Sequence, residues 1–250
     1  MNERTDGPEP YLPESSHEDN GSHSDEPHID SLPIRLINAF VSPGKLMDQL
    51  ADQPKWMGIV LLTTIVSGVT AALVPADLIF ETIRQQMLAQ GVDFGELGDA
   101  QMNALRYGRV PAAVIFSLLL QFGIAALYSV LFSFVLGDDG RYVQYLAAVS
   151  HGWFIPVLIS VLLLPLVIQT ENLELRLTID VFIASFFEPG FLRNVAKLLD
   201  LTVIWSILVI AQGAHAIDER RSFASAATIM LTIFLLYALG IGLLQARSIA

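Results

Sequence analysis

The stretch VPAAVIFSLLLQFGIAALYSVLFSFVL, Val110–Leu136, contains no Lys, Arg, Asp or Glu. A helix needs about 20 predominantly apolar residues to cross the hydrocarbon core of a bilayer. Backbone groups in lipid must pair within their own segment, so an uncharged run of this length folds as a membrane-spanning helix. Four more uncharged runs accompany it: Met57–Val74, Tyr142–Ile168, Leu201–Ile217 and Ser222–Ala246. The sequence therefore predicts an all-α polytopic membrane protein with five transmembrane helices and interfacial amphipathic helices between them.

Composition agrees. The 250 residues are 53% hydrophobic and their mean hydropathy is +0.55, too apolar for an ordinary soluble domain. With no cysteine, disulfides, thiolate metal sites and a cysteine nucleophile are excluded.

The net charge of −11 is concentrated at one end. Residues 1–33 carry Glu3, Asp6, Glu9, Glu14, Glu18, Asp19, Asp25, Glu26 and Asp30 against Arg4 alone. Five prolines and few large apolar residues accompany them, so residues 1–33 cannot bury enough surface to offset their ordering entropy and are expected to be a disordered acidic tail. This stretch has neither the basic start nor the apolar core of a signal peptide. Its His17, His23 and His28 read as part of a solvated tail, not as a metal site. Residues 34–250 then form the membrane domain.

Between the tail and the first run, Ile34, Ile37, Phe40 and Val41 recur at helical spacing. Ser42-Pro43 starts a second short helix running to about Asp52, with Leu46, Met47 and Leu50 on one side. Two short amphipathic helices beside a span belong in the membrane interface, and Trp56 suits the aromatic belt. After Val74, Pro75-Ala76-Asp77 reads as an exit and cap, and Leu78–Gln90 as a helix stopped by Gly91. A further short helix is expected from Asp99 to Gly108. The links Gly137–Tyr142 and Asp218–Arg221 are too short for anything but antiparallel hairpins. Leu173–Val181 alternates apolar and polar residues as a strand does. Val181–Phe187 and Phe191–Leu199 read as interfacial helices broken at Pro189-Gly190.

Ionisable and polar groups inside the membrane are the candidates for function. His151 lies mid-sequence in the third run, and His215 lies near the end of the fourth, one helical face with Asp218. Gln121 and Gln144 read as interhelical glue. Small residues four apart, including Gly68/Ala72, Ala148/Gly152 and Ala238/Gly242, let helices approach closely in a compact bundle or a homo-oligomer face. Pro156 and Pro165 offer kinks of the sort transporters use. Two histidines without carboxylates deep in the bundle make a poor metal set. Hydrolase, zinc-protease and nucleotide-binding motifs are missing, and scattered bases give no nucleic-acid footprint. No cofactor is expected.

The order of these punctuation marks resembles the Yip (Ypt-interacting protein) family of five-span membrane proteins, in its bacterial form. Asn38-Ala39-Phe40-Val41-Ser42-Pro43, with Leu46, Leu50, Pro54 and Trp56, is similar to the family's helical entry to its first span. Gly137-Asp138-Asp139-Gly140 and Pro156 are similar to its second hairpin and third span. Leu199-Asp200-Leu201 with Ile204-Trp205 matches the start of its fourth span, and Gly213 to Ala227 its short basic last hairpin. The resemblance covers about residues 34–246. It implies a cytoplasmic N-terminus, five helices and no enzymatic activity. Eukaryotic relatives bind Rab-type GTPases through an Asp-Leu-Tyr-Gly-Pro-like motif, which this chain lacks.

The expected function is that of a non-enzymatic membrane scaffold or adaptor whose partners are the lipid bilayer and membrane or cytoplasmic proteins. A small-solute or proton-linked transporter built around Gln121, His151 and His215 is the alternative. Arg35, Lys45, Lys55, Arg141, Arg220 and Arg221 crowd into short segments on one side of the membrane, whereas the bases on the other side spread over two long links. That density places the N-terminus in the cytoplasm and the C-terminus outside, in a bacterial inner membrane.

Overall fold

The computed structural model describes residues 29–247 except 89, 90, 93, 94, 96, 97 and 189. The tail assigned to residues 1–33 lies outside the described residues up to position 28. Its last residues do not behave as a tail, because Asp30 is hydrogen-bonded into the bundle and α1 (Leu32–Val41) begins at Leu32.

The described residues form ten helices in order: α1, α2 (Pro43–Asp52), α3 (Met57–Leu73), α4 (Ala76–Leu88), α5 (Asp99–Ser129), α6 (Tyr142–Thr170), α7 (Asp180–Ile183), α8 (Phe191–Leu198), α9 (Leu201–Ile217) and α10 (Phe223–Arg247). A π-helical stretch, Val130–Val135, extends α5 to the first hairpin. Successive long helices run antiparallel, and α6 is central, packing against α3, α5 and α9.

Among the described residues, three helices are long and apolar enough to cross a membrane: α5 with its π extension, α6 and α10. The expected first span is a bent pair, with α4 turning 82° away from α3 after Val74-Pro75; counted as one broken span, it brings the number to four. The expected fourth span is α9, whose 17 residues rise only about 25 Å. The anticipated five spans are therefore not reached on length, although all five runs are helical. The physical reason lies at the ends of α9, where Asp200 caps the start through Thr202 N–H and Asp218 leaves the helix in extended conformation.

Local expectations meet mixed outcomes. The helix expected to stop at Gly108 continues through it into α5. A glycine ends a helix by turning left-handed, and Gly108 does not, whereas Gly91 and Gly137 do. Arg109 explains the continuity: its guanidinium donates to the carbonyls of Val74 and Ala72 at the open end of α3, so α5 is anchored at that point. The stretch Leu173–Val181 is not a strand. Among the described residues it makes one isolated bridge, Thr178 to Asp200, because no second strand is available to pair with it. Of Val181–Phe187 only the first turn is helical, as the end of α7, while α8 stops one residue short of the expectation.

The helices come close where small residues allow it. A Cβ added at Gly152 would lie 2.6 Å from Ile210, and one at Gly213 would lie 2.6 Å from the Cβ of Ala148. The Ala148/Gly152 pair is thus spent inside the chain, on α9. Around this seam Phe132, Tyr145, Leu146, Ile210, Ala214 and Met230 form the main core. A second core joins Leu46, Met47 and Leu50 of α2 to Ala147, Ala148 and Val209.

Candidate functional site

The polar residues of the bundle gather at two places, both at the end of the molecule where the two hairpins turn. The first begins with α1. Its Arg35, Asn38 and Ala39 are buried, while Ile34, Ile37 and Val41 are exposed. The helix therefore turns its polar face to the protein and its apolar face outward, the arrangement expected of a helix lying in the membrane interface.

Arg35 reaches fully buried His151. Its Nη1 lies 3.3 Å from His151 Nε2 and donates to Lys55 O at 2.8 Å. His151 Nδ1 lies 2.8 Å from Ala147 O. A carbonyl can only accept, so Nδ1 carries the proton and the Nε2 lone pair faces the guanidinium. Asp30 completes the group, accepting from Asn38 Nδ2 at 3.0 Å and Gln49 Nε2 at 3.1 Å and pairing with Lys45 at 3.5 Å. Gln144, read as interhelical glue, donates to Ala51 O at 2.7 Å and ties α6 to α2.

The second group joins the hairpin links. Arg221 grips Asp138 with two short bonds, Nε to Oδ2 at 2.5 Å and Nη2 to Oδ1 at 2.6 Å. The side chains of this pair are 15% and 5% exposed, so both are mostly out of water. Arg220 bonds Asp218 and, through Nη2 at 2.7 Å, Asp139. Asp218 Oδ2 also accepts from Asp139 N–H at 3.0 Å. These bonds, those from Arg220 foremost, hold the Asp218 carboxyl well below the usual carboxylate range, and the same contact pushes the Arg220 guanidinium up. The Arg221 guanidinium also sits 5.4 Å over the Phe132 ring, a cation–π contact.

The sequence candidates do not converge. His215 donates from Nδ1 to Arg221 O at 2.7 Å and belongs to the hairpin clamp, whereas His151 belongs to the Arg35 group. Asp218 faces Arg220 rather than His215. Gln121 lies apart on α5, fully buried, its Nε2 donating to Ser117 O at 3.2 Å and its Oε1 without a partner among the described residues. Among the described residues no group of three or more His, Asp or Glu is arranged to hold a metal ion. The residues missed from sequence are Arg35, Asp138, Asp139, Arg220 and Arg221. Their signal was present: two acids in one tight link and two arginines in another that the topology returns to the same end.

A membrane bundle with an inverted amphipathic entry helix and two clamped hairpins is the class of protein defined here. A comparison with protein families matches the Yip1 domain over residues 37–242. The chain belongs to the Yip1 family and is an integral membrane protein. No curated protein and no solved structure matches it.

Proposed function

We propose that this protein is a non-enzymatic scaffold of the bacterial inner membrane that binds partner proteins or lipids. One observation carries the reading: the two histidines of the bundle are engaged in tying its elements together. His151 joins α6 to α1, and His215 joins α9 to the link that follows it. Groups engaged in this way hold a shape; they do not line a path. Membership of the Yip1 family also supports a membrane role without catalysis.

The second reading, a small-solute or proton-linked transporter, is favoured by Gln121 Oε1, Thr63 Oγ1 and Thr64 Oγ1, which are buried without partners. Reconstituted vesicles separate the two. The scaffold reading expects no proton-linked solute flux from the wild-type chain. A flux that disappears in the His151→Gln/His215→Gln double variant overturns it.

For orientation, the N-terminus is placed in the cytoplasm and the C-terminus outside. The bases of α1 and α2 and of both hairpins share one end of the bundle, which supports that placement. A reporter fused after Ala250 is expected to read out an extracytoplasmic position; a cytoplasmic signal reverses the orientation.

A further inference from the structure

At the end of the bundle opposite the clamp, a groove of about 400 Å³ runs between α3, the second half of α6 and the start of α9. Its walls include Trp153, Leu163, Leu164 and Val203, and both Arg176 and Asp200 line it. The backbone segments that carry them are held side by side, because Leu201 N–H bonds Leu177 O at 2.8 Å and Ile179 N–H bonds Leu199 O at 3.0 Å. Arg176 is exposed, and among the described residues no ion pair satisfies it. Asp200 uses Oδ1 to cap α9, accepting from Thr202 N–H and Oγ1–H at 2.8 and 2.7 Å. Among the described residues, no hydrogen bond engages its Oδ2.

An apolar slot beside a membrane helix, with one cation and one anion at hand, fits a molecule having a hydrocarbon tail and a zwitterionic head. We propose that this groove binds a single glycerophospholipid with a primary-amine headgroup, its phosphate on Arg176 and its ammonium on Asp200. An arginine fork matches phosphate geometry. A carboxylate oxygen accepts from a primary ammonium, whereas a quaternary one offers it no N–H. The inference rests on the lipid arm of the scaffold reading; its failure leaves the protein-binding arm untouched, since that arm uses other surfaces.

The test is native mass spectrometry of the full chain in detergent, titrated with ethanolamine, choline and glycerol headgroup phospholipids of identical acyl chains. The wild-type chain is expected to retain one ethanolamine lipid in preference to the other two. Arg176→Gln should weaken that retention at least about tenfold, the loss of one charge-assisted contact. Asp200→Asn keeps an oxygen to cap α9 and should erase the preference for ethanolamine over choline. Both variants should melt as the wild type does, because neither removes a packing contact. Equal retention of all three lipids by the wild type, or unchanged ethanolamine retention in Arg176→Gln, overturns the proposal.

Discussion

Asp138 and Arg221 form the least exposed ion pair among the described residues. Each is mostly removed from water, and each satisfies the other through two bonds. Breaking a buried pair from one side leaves an uncompensated charge, which costs about 3–5 kcal/mol. Arg221→Gln should therefore lower the unfolding free energy in detergent by that order. The Asp138→Asn/Arg221→Gln double variant should be less damaged than the two single losses added together, a coupling that a double-mutant cycle measures. Asp218 adds a dependence on pH. Its carboxyl titrates lower in the folded protein than in the unfolded chain, so its contribution is fully present above about pH 4, the unfolded value. That contribution is lost as pH falls below this point towards the folded value. Thermal melts between pH 7 and pH 2.5 should show an acid-side decline that is reduced in Asp218→Asn.

Among the helices, α1 keeps the apolar-out arrangement of an interfacial helix, whereas α2, given the same place from sequence, turns its apolar face into the core. Ile34, Ile37 and Val41 do share a face, but that face points away from the protein, and Arg35 and Asn38 point in. α2 does the reverse, burying Leu46, Met47 and Leu50 at the α6–α9 seam. Periodicity marks a face without naming what covers it. Two glycines, one in a link and one inside α5, give a sharper test. A Cβ at Gly140 would lie 2.5 Å from the Tyr145 ring, and Tyr145, almost wholly buried and stacked on Phe132, has nowhere to move. Gly140→Ala should cost about 1–3 kcal/mol, as overpacking does. Gly108→Ala, with nothing within 4 Å of its Cβ, should instead gain up to about 1 kcal/mol from helix propensity. Parallel melts of the two variants should move in opposite directions.

For the molecule as a whole, both polar groups lie at the same end and both bear on α6. The Arg35 group holds α1 and α2 to α6, and the hairpin clamp holds the α5–α6 turn to the α9–α10 turn. The acidic tail and the bundle should then separate cleanly on truncation. Removing residues 1–28 should leave the melting temperature unchanged, since that composition has little to bury. Removing residues 1–35 deletes Asp30 and Arg35 and should lower it measurably, because Asn38 and Gln49 lose Asp30 and the Nε2 of His151 loses Arg35.

Helix positions were legible because lipid leaves an uncharged run no other way to satisfy its backbone; the run Tyr142–Ile168 became α6 almost residue for residue. The hairpins were legible because their links are too short for any other path. The partners of His151, His215 and Asp218 were not legible. Charge pairing between links 81 to 83 residues apart in the chain depends on which ends the bundle brings together, and nothing local encodes that. The number of residues available to cross the bilayer escaped a reading by composition for a similar reason. Pro75 and the bend it allows, and the capping carboxylate of Asp200, act on geometry rather than hydropathy. Sequence alone thus established a helical membrane protein of this family, because burial of apolar surface and backbone pairing are local requirements. Which polar side chains meet, and which face of α1 is turned to lipid, came from tertiary packing, because those outcomes depend on neighbours distant in the chain.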